Sequence, residues 1–347
     1  MGPRDNDETP GLDLTRLRPW FAEAVPEGRT STLSATLITG GKSNLTYRLT
    51  DGESQWILRR PPLGHVLATA HDMGREYAVM AALADAPVPV PRLHGLCLDT
   101  GVLGAAFYVM EAVAGTPYRT AAQLAPLGPE RVRHISGALV DTLADLHTVD
   151  ADAVGLGDFG RPEGFLTRQV ARWHKQLAAS YSRDLPAAVE LHAALEARAP
   201  SADTASRSGI VHGDFRLDNV LIDEDDRPRA VIDWEMATVG DPITDLALML
   251  LYTRLARLVG PELAPDAGDA PGFLDEPEII ARYAARSGRD LDGLGFHLGL
   301  AAFKLAAILE GIHFRHLDGR TVGPGFDRIG EAIHPLLDAG LAALKEH

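Results

Sequence analysis

The chain is 347 residues long, with a composition typical of a globular protein and a strongly acidic charge balance. It is 46% hydrophobic and 23% charged, and 48 acidic against 33 basic residues give a formal net charge of −15. This charge disfavours nucleic acid and anionic membranes as partners, and no run approaches the roughly 18 consecutive apolar residues that span a bilayer. Because the N-terminus lacks an apolar secretory signal and the single cysteine, Cys97, cannot form an intramolecular disulfide, we predict a cytoplasmic protein.

The first third of the chain predicts a small antiparallel sheet with one main helix. Apolar and β-branched runs alternate with Gly-containing turns, and one longer segment has apolar residues at helical spacing. The predicted elements are a helix over 13–24, strands over 32–38, 44–50 and 55–60, a helix over 71–84, and strands over 93–98 and 105–110. This order indicates an antiparallel meander rather than a βαβ unit.

The remainder of the chain is predicted to be mainly helical. Apolar stripes at helical spacing predict helices over 129–147, 163–178, 242–256, 297–315 and 327–345. Residues 260–278 are rich in Pro, Gly and acidic residues, which is typical of a loop. Residues 208–240 interrupt the helices and are predicted to form strand, loop, strand, turn and strand.

The segment 208–240 carries the residues that point to chemistry. Asp214 and Asn219 follow one short apolar run, and Asp233 follows another, so the three side chains could converge on one point. Phosphoryl transfer needs a carboxylate that orients and deprotonates a hydroxyl, together with oxygen ligands for magnesium. We therefore predict Asp214 as the catalytic base, with Asn219 and Asp233 as catalytic metal ligands for Mg²⁺.

Two motifs in this segment resemble those of the aminoglycoside phosphotransferase family, within the protein-kinase-like superfamily. They are H-G-D-x-x-x-x-N at residues 212–219, called the H-G-D loop below, and I-D-W at residues 232–234. The resemblance implies an α+β, two-lobed kinase-like fold, with a small antiparallel-sheet N-lobe, a mainly helical C-lobe and the nucleotide between them. It also implies an enzyme that transfers phosphate from ATP (or GTP) to an alcohol group with the help of Mg²⁺. The corresponding division of the chain is an N-terminal extension and short helix over 1–24, an N-lobe over 25–114 and a C-lobe over 115–347.

The resemblance also suggests where the nucleotide binds. Arg59 stands where a kinase-like fold usually has a lysine for the phosphates, although Arg60 is adjacent, and Glu76 is predicted to pair with Arg59. A glycine-rich turn would cover the phosphates, and backbone around the hinge between the lobes would face the base. The full predicted set is Gly40, Gly41, Ser43, Asn44, Arg59, Glu76, Met110, Glu111 and Val113.

Polar residues near the H-G-D loop are predicted to support it. In D-P-I-T-D-L-A, Asp245 is expected to accept hydrogen bonds from the loop backbone. His212 is expected to support the loop rather than titrate in catalysis. His147 is expected to be a packed histidine at a helix end.

Candidate acceptor contacts lie on two helices. The helix over 163–178 has a basic, aromatic face with Arg168, Arg172, Trp173 and Lys175, which could bind an anionic ligand or could be an ordinary amphipathic surface. Glu310 and Arg315, on the apolar helix over 297–315, could contact substrate or form ion pairs. The first of these segments resembles the family branch fused to acyl-CoA dehydrogenases, which favours a hydroxy acid or hydroxyacyl thioester as acceptor.

Two other functions fit the same motifs. The first is an antibiotic kinase for an aminoglycoside or macrolide, which for a polycationic aminoglycoside predicts an acidic acceptor cleft. The second is a nucleotide-binding regulator with little catalysis, suggested by the missing lysine. In each case the partners are a nucleotide and a small molecule, and the chain is expected to be a monomer or homodimer.

Overall fold

The computed structural model describes residues 10–38, 44–63, 72–260, 263–320 and 326–346. Within it the chain forms two compact units. The first unit contains the residues up to Ala114 together with Arg229–Glu235, and the second contains Gly115–Pro228 and the residues from Met236 onwards. The short segment that carries Asp233 therefore belongs to the first unit, although in sequence it lies between the two parts of the second unit.

The first unit is built on one antiparallel sheet. Its elements are α1 (Leu14–Ala24), β1 (Ser34–Ile38), β2 (Leu45–Thr50), β3 (Gln55–Arg60), α2 (Met73–Ala82), β4 (Leu93–Cys97), α3 (Thr100–Leu103) and β5 (Phe107–Glu111). The five strands lie in the order β1-β2-β3-β5-β4, and every neighbouring pair is antiparallel. The predicted antiparallel sheet is confirmed, and α3 is a short helix that the sequence analysis did not predict.

Alternation along the strands of this sheet builds the core of the first unit. Tyr47 and Leu49 on β2 and Trp56 and Leu58 on β3 are buried, as expected when every second side chain points to the same face. The register pairs Arg59 of β3 with Tyr108 of β5. The strand pairing thus brings the predicted phosphate-binding arginine next to a fully buried tyrosine.

The second unit is mainly helical. In chain order the elements from residue 115 onwards are α4 (Ala121–Leu124), α5 (Pro129–Thr148), α6 (Phe165–Ala178), α7 (Pro186–Ala205), β6 (Gly209–Val211), β7 (Val220–Ile222), β8 (Pro228–Val231), β9 (Thr238–Gly240), α8 (Ile243–Val259), α9 (Glu276–Ser287), α10 (Leu294–Leu317) and α11 (Ile333–Glu346). Strand β8 starts at Pro228, which belongs to the second unit, and its other residues belong to the first. The small sheet and the mostly helical remainder give the predicted kinase-like fold.

Three of these helices, the one-turn α4 and the longer α7 and α9, were not predicted. Helix α7 has a weak apolar stripe, because two of its four buried residues are alanines and Pro200 lies inside it. Helix α9 begins at Glu276, so the predicted loop over 260–278 is wrong in its last three residues. A capping box between Asp275 and Glu278 starts α9, and this is the signal in the sequence that marks its first turn.

Helix α10 forms the centre of the second unit. It packs against α6, α7, α8 and α11, and most of its residues between Leu294 and Gly311 are buried. By length and composition it is the one candidate membrane span among the residues that the structure describes, with a mean hydropathy of 1.4. Because 78% of that window is buried inside the protein, α10 has the character of a core helix.

Candidate active site

The backbone of the H-G-D loop is held by one carboxylate. Asp245, in the first turn of α8, accepts hydrogen bonds from the backbone N–H of His212 at 2.6 Å and of Gly213 at 2.7 Å. Gly213 has φ 87°, and a side chain there would meet Met236, with a Cβ placed 2.7 Å from the Met236 carbonyl. The loop therefore needs glycine at this position, and the predicted structural role of Asp245 is confirmed.

A buried histidine contacts the carboxylate of Asp245. His147, at the end of α5, lies 3.3 Å from the Asp245 carboxylate through Nε2 and 2.7 Å from the Tyr283 hydroxyl through Nδ1. Burial lowers the pKa of His147, and the Asp245 carboxylate opposes this shift only in part. Burial acts to raise the pKa of Asp245, but His147 and the loop amides outweigh it, so this pKa is lowered. His147 is the packed helix-end histidine that was predicted.

The carboxylate of Asp214 is oriented by side chains on both sides. The Tyr252 hydroxyl donates to Oδ1 at 2.8 Å, and the Asn219 amide donates to the Asp214 carbonyl at 2.9 Å and to Oδ2 at 3.2 Å. Burial raises the pKa of Tyr252 well above its usual range, so the phenol stays a neutral donor. The side chain of Asp214 is 26% exposed, which leaves the oriented carboxylate accessible to another molecule.

A cation completes the surroundings of Asp214. The Nε atom of Arg216 lies 3.5 Å from Asp214 Oδ2 and 3.0 Å from Asp218 Oδ1. Its guanidinium also lies over the Tyr252 ring, 5.0 Å from the centroid. The backbone N–H of Asp214 donates to the ring of His212 at 3.2 Å, which is the supporting role predicted for that histidine.

The first unit contains a second charged cluster around Arg59. Its Nη2 donates to Asp233 Oδ1 at 2.9 Å, and its Nε lies 3.5 Å from Glu76 Oε2. Glu76 also accepts from the Tyr108 hydroxyl at 2.8 Å and from the Asn44 amide at 3.0 Å. The predicted Arg59–Glu76 contact is therefore present, and all its partners lie within this unit. Burial acts to lower the pKa of Arg59, but its acidic neighbours outweigh it, so the pKa is raised and the guanidinium stays charged.

The cluster distinguishes the two candidate arginines of β3. Because side chains alternate along a strand, Arg60 points away from Arg59. Arg60 donates to the backbone carbonyls of Gly11 and Leu103, and neither of these is a carboxylate. Arg59 is thus the arginine placed beside Glu76 and Asp233.

Asp233 has an unusual backbone. Its φ of 68° lies in the left-handed region, where among the described non-glycine residues only Asp226 joins it. Aspartate is one of the few residues that adopt this conformation at modest cost, and such positions are frequent at functional sites.

The oxygen donors fit a hard cation such as Mg²⁺. The Asn219 amide nitrogen is used by Asp214, which leaves the amide oxygen as its possible ligand atom. Asp233 supplies a carboxylate. These are the two ligand types that magnesium prefers in phosphoryl-transfer sites. Asn219 belongs to the second unit and Asp233 to the first, and their joint role as metal ligands stays a prediction.

The other predicted nucleotide contacts are partly described. Gly40, Gly41 and Ser43 lie outside the described residues. Asn44 is buried, and its amide also donates to Glu235 at 3.0 Å.

The predicted hinge residues lie at the end of β5 and just beyond it. Met110 is buried in β5, Glu111 is exposed at the end of the strand, and Val113 follows. The backbone N–H of Glu111 donates to the backbone carbonyl of Arg92 at 2.8 Å. Contacts of these residues with adenine stay predictions.

The predicted acceptor residues lie on two helices, α6 and α10. Arg172 lies over the ring of Trp173, 5.0 Å from its centroid, and the Trp173 side chain is only 3% exposed. Arg168 instead donates to the backbone carbonyls of Arg161 and Glu163, just before α6. Glu310 is fully buried, and its partners favour the ion-pair interpretation. They are the backbone N–H of Ser182 at 2.9 Å, the Ser182 hydroxyl at 2.6 Å and Arg183 at 2.9 Å. Arg315 is exposed near the end of α10.

Sequence reasoning missed two residues that contact the H-G-D loop. Tyr252 binds Asp214, and Lys304 on α10 donates to the Gly213 carbonyl at 2.7 Å. A signal for Tyr252 exists, because it lies seven residues after Asp245 and therefore on the same face of α8. Lys304 has only the signal of a lone cation in an apolar stretch.

The chain resembles phosphotransferases and portions of larger proteins. The model described as "Phosphotransferase enzyme family" matches residues 34–294, and human "Acyl-CoA dehydrogenase family member 11" is 34% identical over 91% of this chain and 41% of that protein. Mouse "Acyl-CoA dehydrogenase family member 10" is 36% identical over 81% of this chain and 26% of that protein. The chain thus spans well under half the length of these curated relatives.

Solved structures show the same fold over nearly the whole chain. A Ralstonia eutropha protein proposed to be an aminoglycoside phosphotransferase has a TM-score of 0.83 and 32% identity, covering 96% of this chain and 98% of that one. Choline kinase from Cryptosporidium parvum has a TM-score of 0.67 at 15% identity and covers 96% of each chain, which shows a shared fold alone. With a family model that matches most of the sequence, the chain belongs to the phosphotransferase enzyme family.

Proposed function

We propose that the chain transfers the γ-phosphate of ATP to a hydroxyl group of a small metabolite. The observation that carries this proposal is the state of Asp214, a partly exposed carboxylate oriented by Tyr252 and Asn219 at the end of a glycine turn. A general base must be within reach of a substrate proton and held in a defined orientation. Asp214 is held in a defined orientation and is partly exposed, which supports this role.

In the proposed reaction, the acceptor oxygen forms a bond to the γ-phosphorus while the bond to the β–γ bridging oxygen breaks. The acceptor proton passes to the Asp214 carboxylate, and ADP leaves. Arg59 would contact the phosphates as a fixed cation, and Glu76 would hold its guanidinium in place. Bound through Asn219 and Asp233, Mg²⁺ would neutralise charge on the β- and γ-phosphates.

For the acceptor we propose an anionic metabolite, namely a hydroxy acid or a hydroxyacyl thioester. Cations surround the H-G-D loop, because Arg216 lies 3.5 Å from Asp214 and Lys304 donates to Gly213. Arg172 shares the Trp173 ring with Lys304. Such groups favour carboxylate or phosphate on a ligand. The acyl-CoA dehydrogenase names of the curated relatives agree with an acyl substrate.

An aminoglycoside is the second candidate. It is favoured by the 32% identity with the Ralstonia eutropha protein. The same cations argue against it, since a polycationic acceptor would be repelled at Arg216 and Lys304. This candidate predicts transfer to aminoglycosides at a rate comparable with or greater than that to hydroxy acids.

The test is magnesium-dependent transfer of labelled γ-phosphate from ATP to a panel of acceptors. The panel contains hydroxy acids, hydroxyacyl-CoA thioesters, aminoglycosides and macrolides. We expect transfer to one of the first two classes and a loss of about 10²- to 10⁴-fold in Asp214→Asn. Asp225→Asn, which alters an exposed acid of the turn after β7, is the matched control and should retain activity.

Each outcome of the panel has a definite meaning. Transfer to aminoglycosides alone would replace the proposed acceptor class. ATP binding without transfer to any acceptor would favour a nucleotide-binding regulator. Unchanged transfer in Asp214→Asn would overturn the assignment of the base.

A further inference from the structure

Lys304 contacts the H-G-D loop from a largely apolar helix. It lies on α10, a helix whose first eighteen residues are mostly buried and apolar, and its Nζ donates to the carbonyl of Gly213 at 2.7 Å. Gly213 immediately precedes Asp214, the proposed base. An ammonium group costs free energy to bring into a protein interior, so its presence on this helix requires a compensating interaction.

The contact completes a two-sided hold on the H-G-D loop. The N–H of Gly213 donates to the Asp245 carboxylate at 2.7 Å, and the carbonyl of the same residue accepts from Lys304 at 2.7 Å. An anion therefore holds one side of the residue and a cation holds the other. Gly213 has no side chain and has φ 87°, so these polar contacts, together with the close approach of Met236, define its position.

Trp173 places the Lys304 ammonium. The Nζ atom lies 5.6 Å from the centroid of the Trp173 ring, within the range of a cation–π interaction. Trp173 is itself fixed, since its side chain is 3% exposed and its Nε1 donates to Gln169 at 3.1 Å. Helix α6 thus supports Lys304, and Lys304 supports the loop.

The protonation state of Lys304 does not decide whether this contact can form. Burial lowers the pKa of Lys304, while the carboxylates of Asp214 and Asp245 act in the opposite direction. Both the ammonium and the neutral amine carry N–H groups that can donate to a carbonyl.

We propose that Lys304 is a positioning residue that fixes the Gly213 carbonyl and thereby aims the Asp214 carboxylate at the acceptor. The proposal rests on the proposed function for its effect on rate. A misplacement of about 1 Å in a catalytic group can reduce a rate by roughly 100-fold. We expect loss of the Lys304 contact to lower kcat, because Lys304 acts on the position of the base and not on nucleotide affinity.

Three variants of the full chain test the proposal. Lys304→Met keeps the length of the side chain and removes the donor, and Lys304→Arg restores a donor and a cation for the Trp173 ring. Lys345→Met makes the same chemical change at an exposed position of α11 and is the matched control. We expect kcat to fall about 10- to 100-fold in Lys304→Met, with KM for ATP within about twofold of the parent. Lys304→Arg should recover at least part of kcat, and Lys345→Met should not differ from the parent.

Backbone amide exchange of residues 210–216 is measured on the same proteins without any substrate. Exchange should become faster in Lys304→Met than in the parent and the control, while the melting temperature stays above the assay temperature. If the parent transfers no phosphate to any acceptor but exchange responds in this way, the proposed function fails and the positioning contact stands. Unchanged kcat and unchanged exchange in Lys304→Met would overturn the inference, as would a loss carried entirely by KM.

Discussion

At the scale of single residues, two adjacent arginines on β3 illustrate how a strand separates roles. Arg59 contacts Glu76 and Asp233, whereas Arg60 contacts the carbonyls of Gly11 and Leu103. Both are almost completely buried, so burial does not distinguish them. Their partners distinguish them. The carboxylates beside Arg59 hold its guanidinium where phosphate groups could also bind it. The backbone carbonyls that contact Arg60 instead connect a loop to the sheet.

Substitution of these arginines should therefore have different consequences. We expect Arg59→Met to lower kcat/KM for ATP by roughly 10- to 100-fold, the range of a charge-assisted hydrogen bond, and Arg59→Lys to recover most of it. Arg60→Met should lower the melting temperature while kcat/KM stays within about threefold of the parent, since the partners of Arg60 are the backbone carbonyls of Gly11 and Leu103. Steady-state kinetics and thermal unfolding on all three variants decide the matter. A larger kinetic effect at Arg60 than at Arg59 would reverse the assignment.

At the scale of elements, the H-G-D loop depends on helices that are distant in sequence. Helix α8 supplies Asp245 and Tyr252 from one face, α5 supplies His147 from its end, and α10 supplies Lys304. Each side chain comes from a rigid helix rather than from another loop. Such a site is held more accurately than one built from loops alone.

The buried His147 makes this arrangement sensitive to acid. Its pKa is lowered below the ordinary value of 6.5 in the folded protein, so below pH 6.5 the unfolded chain binds a proton that the folded protein does not. The stability from this group is fully present above pH 6.5 and is lost as the pH falls from 6.5 towards the folded pKa, by at most about 1.4 kcal/mol per pH unit. Asp245 adds to the loss only at lower pH, because its ordinary pKa of 3.8 is itself lowered by folding.

We therefore expect the free energy of unfolding to fall less steeply below pH 6.5 in His147→Gln than in the parent. Glutamine can still bond to Tyr283 and Asp245 but does not titrate. Urea unfolding at several pH values between 7 and 5 measures the difference. His134→Gln, at an exposed position of the same helix, is the control. Equal slopes for His147→Gln and the parent would contradict this account.

At the scale of the whole molecule, net charge sets behaviour in solution. The formal charge is −15 at pH 7, and the isoelectric point calculated from the sequence is about 5.3. Proteins of high net charge repel each other, and this repulsion disappears as the charge approaches zero. The local cations around the H-G-D loop are thus an exception on an acidic protein.

We expect self-association to increase as the pH is lowered towards 5.3 and to reverse when the pH is returned to 8. Dynamic light scattering at constant ionic strength, with far-ultraviolet circular dichroism to monitor folding, measures this. A constant hydrodynamic radius across that interval in the folded protein would show that apolar or specific contacts, not charge, control association.

The local features of this protein could be predicted from its amino-acid sequence. Period-2 and period-3.6 patterns located most strands and helices, because these patterns depend only on neighbours along the chain. The ordered residues of the H-G-D loop and Asp233 indicated phosphoryl transfer before any geometry was known. Helices α7 and α9 were not predicted because their local patterns are weak. Two of the four buried residues of α7 are alanines, and α9 starts with a capping box rather than an apolar run.

The surroundings of those residues depend on how the chain folds. Lys304 reaches Gly213 across 91 positions of sequence, and Tyr252 reaches Asp214 across 38. No local pattern specifies which side chain of a distant helix will face a loop, because that depends on how the helices pack. The pairing of Arg59, and not Arg60, with Glu76 and the hydrogen bonds of Glu310 arise in the same way, from contacts that exist only once the chain is folded.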